Sequence, residues 1–140
     1  PDQLRVLLQN TWDSEASKRP RPGEWSIKEV IGHVCDQERV FAYRLLCIAR
    51  GETAPLPGYD QEAYVNATDL NARSLSSLLD EFDFQRCANV LCFRELDDFE
   101  LSRLGTANNT PVTPRALLYL MAGHVLHHLE SLQTDYKLMV

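Results

Sequence analysis

From Ser26 to Arg50 the chain carries apolar side chains at helical spacing: Ile27, Val30, Ile31, Val34, Phe41, Leu45 and Ile48. No stretch alternates apolar and polar residues in the way a half-buried strand does. The helical period returns over about 71–97, at Leu75, Leu78, Leu79, Phe82, Val90, Phe93 and Leu96. It returns again from Pro114 to the chain end, at Leu117, Leu118, Met121, Val125, Leu129, Leu132, Tyr136 and Met139. A further helical segment, roughly 2–17, ends before the stop Arg19-Pro20-Arg21-Pro22-Gly23. A helix with one apolar face must bury it against a neighbour. Four such helices in 140 residues predict an all-α four-helix bundle, formed by a single domain over 1–140.

The ends of these helices carry their own signals. Ser26-Ile27-Lys28-Glu29 is a capping box, in which serine and glutamate satisfy orphan amides reciprocally, and Gly51 is the expected terminator. Turn-rich Thr53-Ala54-Pro55-Leu56-Pro57-Gly58 leads to one short extra helix near Asp60–Val65 in a connecting loop. A polar loop with Gly105, Asn108, Asn109 and Pro111 precedes Thr113-Pro114, an N-cap with proline at the first helical position.

Composition narrows the class of protein. At 44% hydrophobic and 24% charged residues, the chain reads as an ordinary soluble globular protein. No apolar run approaches the roughly 18 residues that a membrane span needs. A net charge of −6 with no stripe of Lys and Arg argues against a nucleic-acid partner. Cys35, Cys47, Cys87 and Cys92 form no Cys-x-x-Cys pair, and each falls in a predicted helix. They read as reduced structural residues of a cytoplasmic protein. The abrupt start at Pro1 leaves room for a short preceding piece.

Histidine is where the chain becomes chemically specific. It has four, and three of them are His124, His127 and His128. On a helix, positions i and i+4 lie on one face with side-chain roots about 5–6 Å apart. His124 and His128 can therefore converge on one metal ion, whereas His127 falls about 60° further round and points elsewhere. His33, at the edge of the second helix's apolar arc and close in projection to Gln37 and Arg44, is a candidate third ligand. Three histidines from two packed helices leave open positions on a metal, as catalysis requires. The bland alternatives are a core histidine at 128 and a surface histidine at 33.

Two further polar residues lie inside apolar arcs. Glu38 sits at the centre of the second helix's arc, and a buried carboxylate needs a partner. Arg86, with Asn89, lies within the arc of the third. The expectation is that Glu38 and Arg86 face one another or line a polar cavity within the bundle. Either a catalytic role or a buried ion pair that fixes helix register follows from that. Asp36, opposite the arc, is expected to be solvated.

The run Gly23-Glu24-Trp25-Ser26-Ile27-Lys28-Glu29-Val30-Ile31-Gly32-His33-Val34-Cys35-Asp36-Gln37-Glu38 resembles the helix-2 signature of the DinB-like superfamily. So do Tyr43-Arg44-Leu45, Leu56-Pro57-Gly58-Tyr59-Asp60, and the C-terminal stretch from Pro111 through His128. The resemblance covers most of the chain from about Pro22 onward. It implies a bundle with an unusual helix connection order and, commonly, a homodimer. It also implies a divalent metal, commonly nickel or zinc, on a histidine tripod that maps onto His33, His124 and His128. Members with known activity include thiol-dependent transferases and isomerases that use low-molecular-weight thiols such as mycothiol, bacillithiol or glutathione.

The leading expectation is thus a metal-dependent thiol transferase acting on a small-molecule thiol and an electrophilic substrate. Arg44, Tyr59 and His127 are candidates for orienting these by proximity in sequence. Mobile loops at 53–59 and 105–112 would rim the pocket. A hydrolase using a metal-bound water, with Glu38 as base, is the second expectation. A non-catalytic metal-binding protein serving in stress response or dimerisation is the third.

Overall fold

The computed structural model describes residues 2–138; the Met139 assigned above to the last apolar arc lies outside them. The bundle is built from α1 (Asp2–Leu8), α3 (Ile27–Ala49), α5 (Leu75–Phe93) and α7 (Pro114–Asp135). Helix α3 is central and packs on both α7 and α5. The lower core joins Leu4, Leu7 and Leu8 of α1 to Ile31, Val34, Leu78, Phe82 and Leu132. A second cluster at the other end holds Leu45, Ile48, Phe93, Leu117 and Met121. No described helix is long and apolar enough to cross a membrane.

Helix starts follow the local signals. Ser26 Oγ accepts from the Glu29 amide at 3.1 Å, while the Ser26 amide donates to Glu29 Oε2 at 2.7 Å. Thr113 caps α7, with Pro114 at its first position. Gly51, at φ +91°, leaves α3 through the left-handed region that any side chain would strain. The short helix after the turn-rich stretch is α4 (Gln61–Asn66), capped by Asp60.

The connections are richer than the sequence indicates. The expected first helix over 2–17 is broken: α1 ends at Leu8, and a separate turn of helix, α2, spans Asp13–Ala16. Asp13 is held by tertiary contacts, accepting from the Leu75 amide at the start of α5 at 2.7 Å and from Lys28 at 3.2 Å. The third helix starts later than expected, at Leu75, after a 3-10 turn over Leu70–Ala72. It also ends earlier, at Phe93, and a short helix α6 (Asp98–Ser102) follows.

The segment read as a polar loop folds into an antiparallel hairpin, β1 (Gly105–Ala107) with β2 (Thr110–Val112). Asn108 and Asn109 both take positive φ, 50° and 59°, as a two-residue primed turn demands. Loop 53–59 is pinned to this hairpin. The Leu56 amide donates to Thr106 O at 2.8 Å, and the Asn108 amide donates to Leu56 O at 3.0 Å.

Several placements correct the sequence reading. Cys35 is buried, but Cys87 and Cys92 on α5 are exposed and Cys47 is half-buried. Val90, assigned to the apolar arc, is also exposed. The cause is the shortness of α1, seven residues against nineteen in α5, which reaches α5 through Arg5 at Asp80 and Asp83. Beyond that point one flank of α5 has no helix of the bundle to cover it. Asp36 is half-buried rather than solvated, and that burial raises its carboxyl pKa.

Candidate metal centre

Helices α3 and α7 bring three imidazoles to one point. His33 Nε2 lies 3.0 Å from His124 Nε2, which lies 3.1 Å from His128 Nε2. One nitrogen from each ring falls within 4.8 Å of the other two. His33 is far more enclosed than its place at the edge of the arc indicates, at 2% exposure, because Trp25 lies tilted across it with ring centroids 4.9 Å apart and His124 and His128 pack edge-on at 4.9 and 5.1 Å. Phe41 stands edge-on to His124 at 6.1 Å. Among the described residues no other group of three His, Cys, Asp or Glu side chains is so disposed.

The donor set fits a cation better than it fits itself. A neutral imidazole nitrogen has either one proton or one lone pair, so His124 Nε2 can make a good hydrogen bond to one of its two neighbours only. Burial lowers the His33 pKa to about 4. His124 is lowered to about 4, by burial first and then by His33 and His127. His128 falls to about 3, again by burial first, then by the neighbouring imidazoles. At neutral pH the rings are therefore uncharged, with lone pairs free for a metal. Metal–nitrogen bonds of about 2.0–2.1 Å bring two imidazole nitrogens to within about 4.2 Å at most, and the two contacts on His124 Nε2 fall inside that limit. His33 Nδ1 is buried without a hydrogen-bond partner, so nothing fixes that ring from behind. A cleft of about 210 Å³ reaches the cluster at His128, between Trp25, Glu62, Ser131 and Tyr136. Trp25 Nε1 donates to Glu62 Oε2 at 3.2 Å, and the Tyr136 hydroxyl donates to Trp25 O at 2.6 Å.

The other candidates separate into three places. Glu38 and Arg86 do face one another: Arg86 Nε and Nη2 donate to the two Glu38 oxygens, each at 2.8 Å. Asn89 adds a bond to Glu38 Oε1 at 2.8 Å, and Arg86 Nη2 also reaches Met121 O at 3.2 Å. Arg86 and Asn89 line a cavity of about 240 Å³ with Val90, Phe93, Leu118 and Met121, in which no histidine takes part. Arg44 and Tyr59 line another cavity, which includes none of the three histidines. His127 is exposed, its ring 5.2 Å from that of His128, in keeping with the wheel that turned it away. Sequence reasoning missed Trp25 and Tyr136 as walls of the cleft; the adjacency of Trp25 to the Ser26 cap was the available signal.

Comparison with known proteins places the chain among relatives. The sequence profile of the DinB superfamily matches residues 1–132. A protein of Oceanobacillus iheyensis, provisionally named a metal-dependent hydrolase, is 32% identical over 70 residues. That match takes in 50% of this chain and 40% of the relative, so the chain spans well under two thirds of the curated protein it matches. Among solved structures, YfiT from Bacillus subtilis superposes with a TM-score of 0.82 at 22% identity, covering 99% of this chain and 82% of that one. It is described as a probable metal-dependent hydrolase with an unusual four-helix bundle topology. A mycothiol-dependent maleylpyruvate isomerase superposes at 0.73 and 15% identity, over 91% of this chain and 54% of its own. These two likenesses establish the fold.

Proposed function

The chain belongs to the DinB superfamily, and from that premise we propose that it is a metal-dependent enzyme acting with a low-molecular-weight thiol. His33, His124 and His128 would hold a divalent cation, nickel or zinc by family likeness. The observation that carries this reading is the donor set itself: three uncharged imidazoles, no carboxylate among them, and a cleft that reaches one ligand. A cation so held supplies a Lewis acid that keeps a thiol in its nucleophilic deprotonated form.

The surrounding residues have separable tasks. Trp25 and Phe41 exclude water from two sides of the cluster. To His127, exposed with its ring 5.2 Å from that of His128, we assign the orienting of an incoming thiol. For Glu38 and Arg86 we assign a positioning role in place of a catalytic one. Their bonds consume one another, and the Arg86 bond to Met121 O ties α5 to α7 one turn before His124. Family likeness also supports a homodimer, and exposed Phe84 and Leu91 on α5 with Tyr119 on α7 provide apolar surface for one. Light scattering on the purified protein tests that point.

Hydrolysis is the second reading, favoured by the names of two relatives. It needs a base for water, and Glu38, the carboxylate expected to supply it, is already bonded to Arg86 and Asn89. Elemental analysis of the protein as isolated, and of His33→Ala, His124→Ala and His128→Ala, tests the metal. Each variant is expected to lose the ion and keep its helical circular dichroism; unfolding on metal loss would instead mark a structural ion. Conjugation of thiols to monochlorobimane tests the chemistry. Thiol-independent ester cleavage would favour hydrolysis, and metal without turnover of either kind would leave a non-catalytic metal-binding protein.

A further inference from the structure

Arg44 is a buried cation without a carboxylate. It is 7% exposed, on the penultimate turn of α3, and the one side-chain hydrogen bond it makes among the described residues is from Nη2 to Pro57 O at 2.7 Å. No ion pair to it exists among the described residues, although eleven other pairs do. Burial lowers its pKa, and the Tyr59 phenol offsets part of that. A guanidinium has five N–H donors in a planar fork, so most of its capacity is unspent. Those remaining nitrogens are not sealed in protein, and Arg44 lines a cavity of about 290 Å³.

The walls of that cavity say what would enter. Val40, Leu56, Tyr43, Tyr59 and Tyr64 present apolar and aromatic surface, with Tyr59 and Tyr64 edge to face at 4.8 Å, and the other cation on the wall, Arg39, is already paired with Glu81 at 2.6 Å. The far wall is tied to the hairpin: Leu56 pairs with Ala107, and Gly58 packs close against the Asn108 side chain. Tyr59 donates to Gln37 Oε1 at 2.5 Å, and Gln37 is one turn from His33 on the same helix. At about 100° per residue, His33, Gln37 and Arg44 fall within about 40° of one another on α3. The stripe spans about 16 Å of helix axis.

We propose that Arg44 anchors an anion subsite apart from the metal centre, which takes the carboxylate of a small aromatic or unsaturated acid. The subsite stands on Arg44 and these walls, independently of the metal-dependent reading above. Guanidinium and carboxylate match as a planar bidentate pair. The aromatic walls hold the planar body of the acid, and the Arg44 charge, unpaired among the described residues, is met by the ligand.

Sodium benzoate and its neutral counterpart benzamide are the probes, titrated into the full chain and followed by ¹H–¹⁵N chemical shifts. Benzoate is expected to bind, to move the Arg44 Nε–H resonance, and to exceed benzamide at least tenfold in affinity. Because a carboxylate can also ligate a metal, His124→Ala is titrated in parallel and is expected to bind benzoate as the wild type does. Arg44→Lys, which keeps the charge but not the fork, is expected to weaken binding at least tenfold. Equal affinity for benzamide, displacement by inorganic phosphate, or loss of binding in His124→Ala would overturn the subsite. So would silence of the Arg44 resonance, a readout that decides the matter even where Arg44→Lys does not fold. Turnover of monochlorobimane, a neutral electrophile, by the wild type tests the metal-dependent reading separately.

Discussion

Truncating either member of the Glu38–Arg86 pair should be among the most damaging substitutions outside the apolar core. The Glu38 side chain is 2% exposed and that of Arg86 is 19% exposed. Breaking a buried pair leaves a charge without a counterpart and costs about 3–5 kcal/mol. Partial exposure of Arg86 screens some of that, which places Glu38→Leu near the lower figure, about 3 kcal/mol. With a urea slope of about 1.5 kcal/mol/M, the unfolding midpoint should fall by about 2 M. Arg86→Met strands Glu38 in the same way and also frees Met121 O. Removing both should restore most of the loss, because replacing a buried ion pair by apolar side chains is neutral or stabilising by about 1–4 kcal/mol. The assay is equilibrium urea denaturation of the four proteins of this cycle. A loss below about 1 kcal/mol for Glu38→Leu, or a double variant as unstable as the sum of the singles, would refute the pair as a bolt between helices.

Alkylation of the native protein by iodoacetamide at pH 8 should modify Cys87 and Cys92 and spare Cys35, whose thiol burial pushes up to about 12; peptide mapping reads this, and early labelling of Cys35 would contradict it. Stability should fall as pH rises above about 9. The folded chain keeps protons on Cys35, Tyr59 and Tyr136, each pushed up by burial to about 12, that the unfolded chain releases nearer 9 to 10. Urea midpoints measured from pH 8 to pH 11 check the sign, and a flat profile would contradict it. Gly105→Ala should loosen the hairpin from α3, since its Cβ would lie 2.5 Å from Ile48 Cγ1. A melting temperature within about 1 °C of wild type would refute that contact. Ser26→Ala should cost about 1 kcal/mol by removing the α3 cap, again read by urea midpoint.

Much of the bundle is legible in the residues because its signals are local. Ser26 and Glu29 cap each other across three positions, Pro114 starts α7, and the i, i+4 spacing aligns His124 with His128. The Glu38–Arg86 contact is legible for a related reason: each is a charged residue inside an apolar arc, and each needs the other. The hairpin is not legible in this way. Asn108 and Asn109 suit a primed turn, but the flanking segments are three residues long, too short to show an alternating pattern.

Periodicity and end signals thus determine where the long helices lie and which of their faces turn inward, since both depend on residues within a few positions of one another. Depth of burial is decided by what lies across from each face, and only the tertiary structure supplies that. Trp25 closes over His33 while the short α1 leaves Cys87, Val90 and Cys92 of α5 in water. That Arg44 meets Pro57 O and, among the described residues, no carboxylate is likewise a fact about distant chain segments, on which local sequence has no purchase.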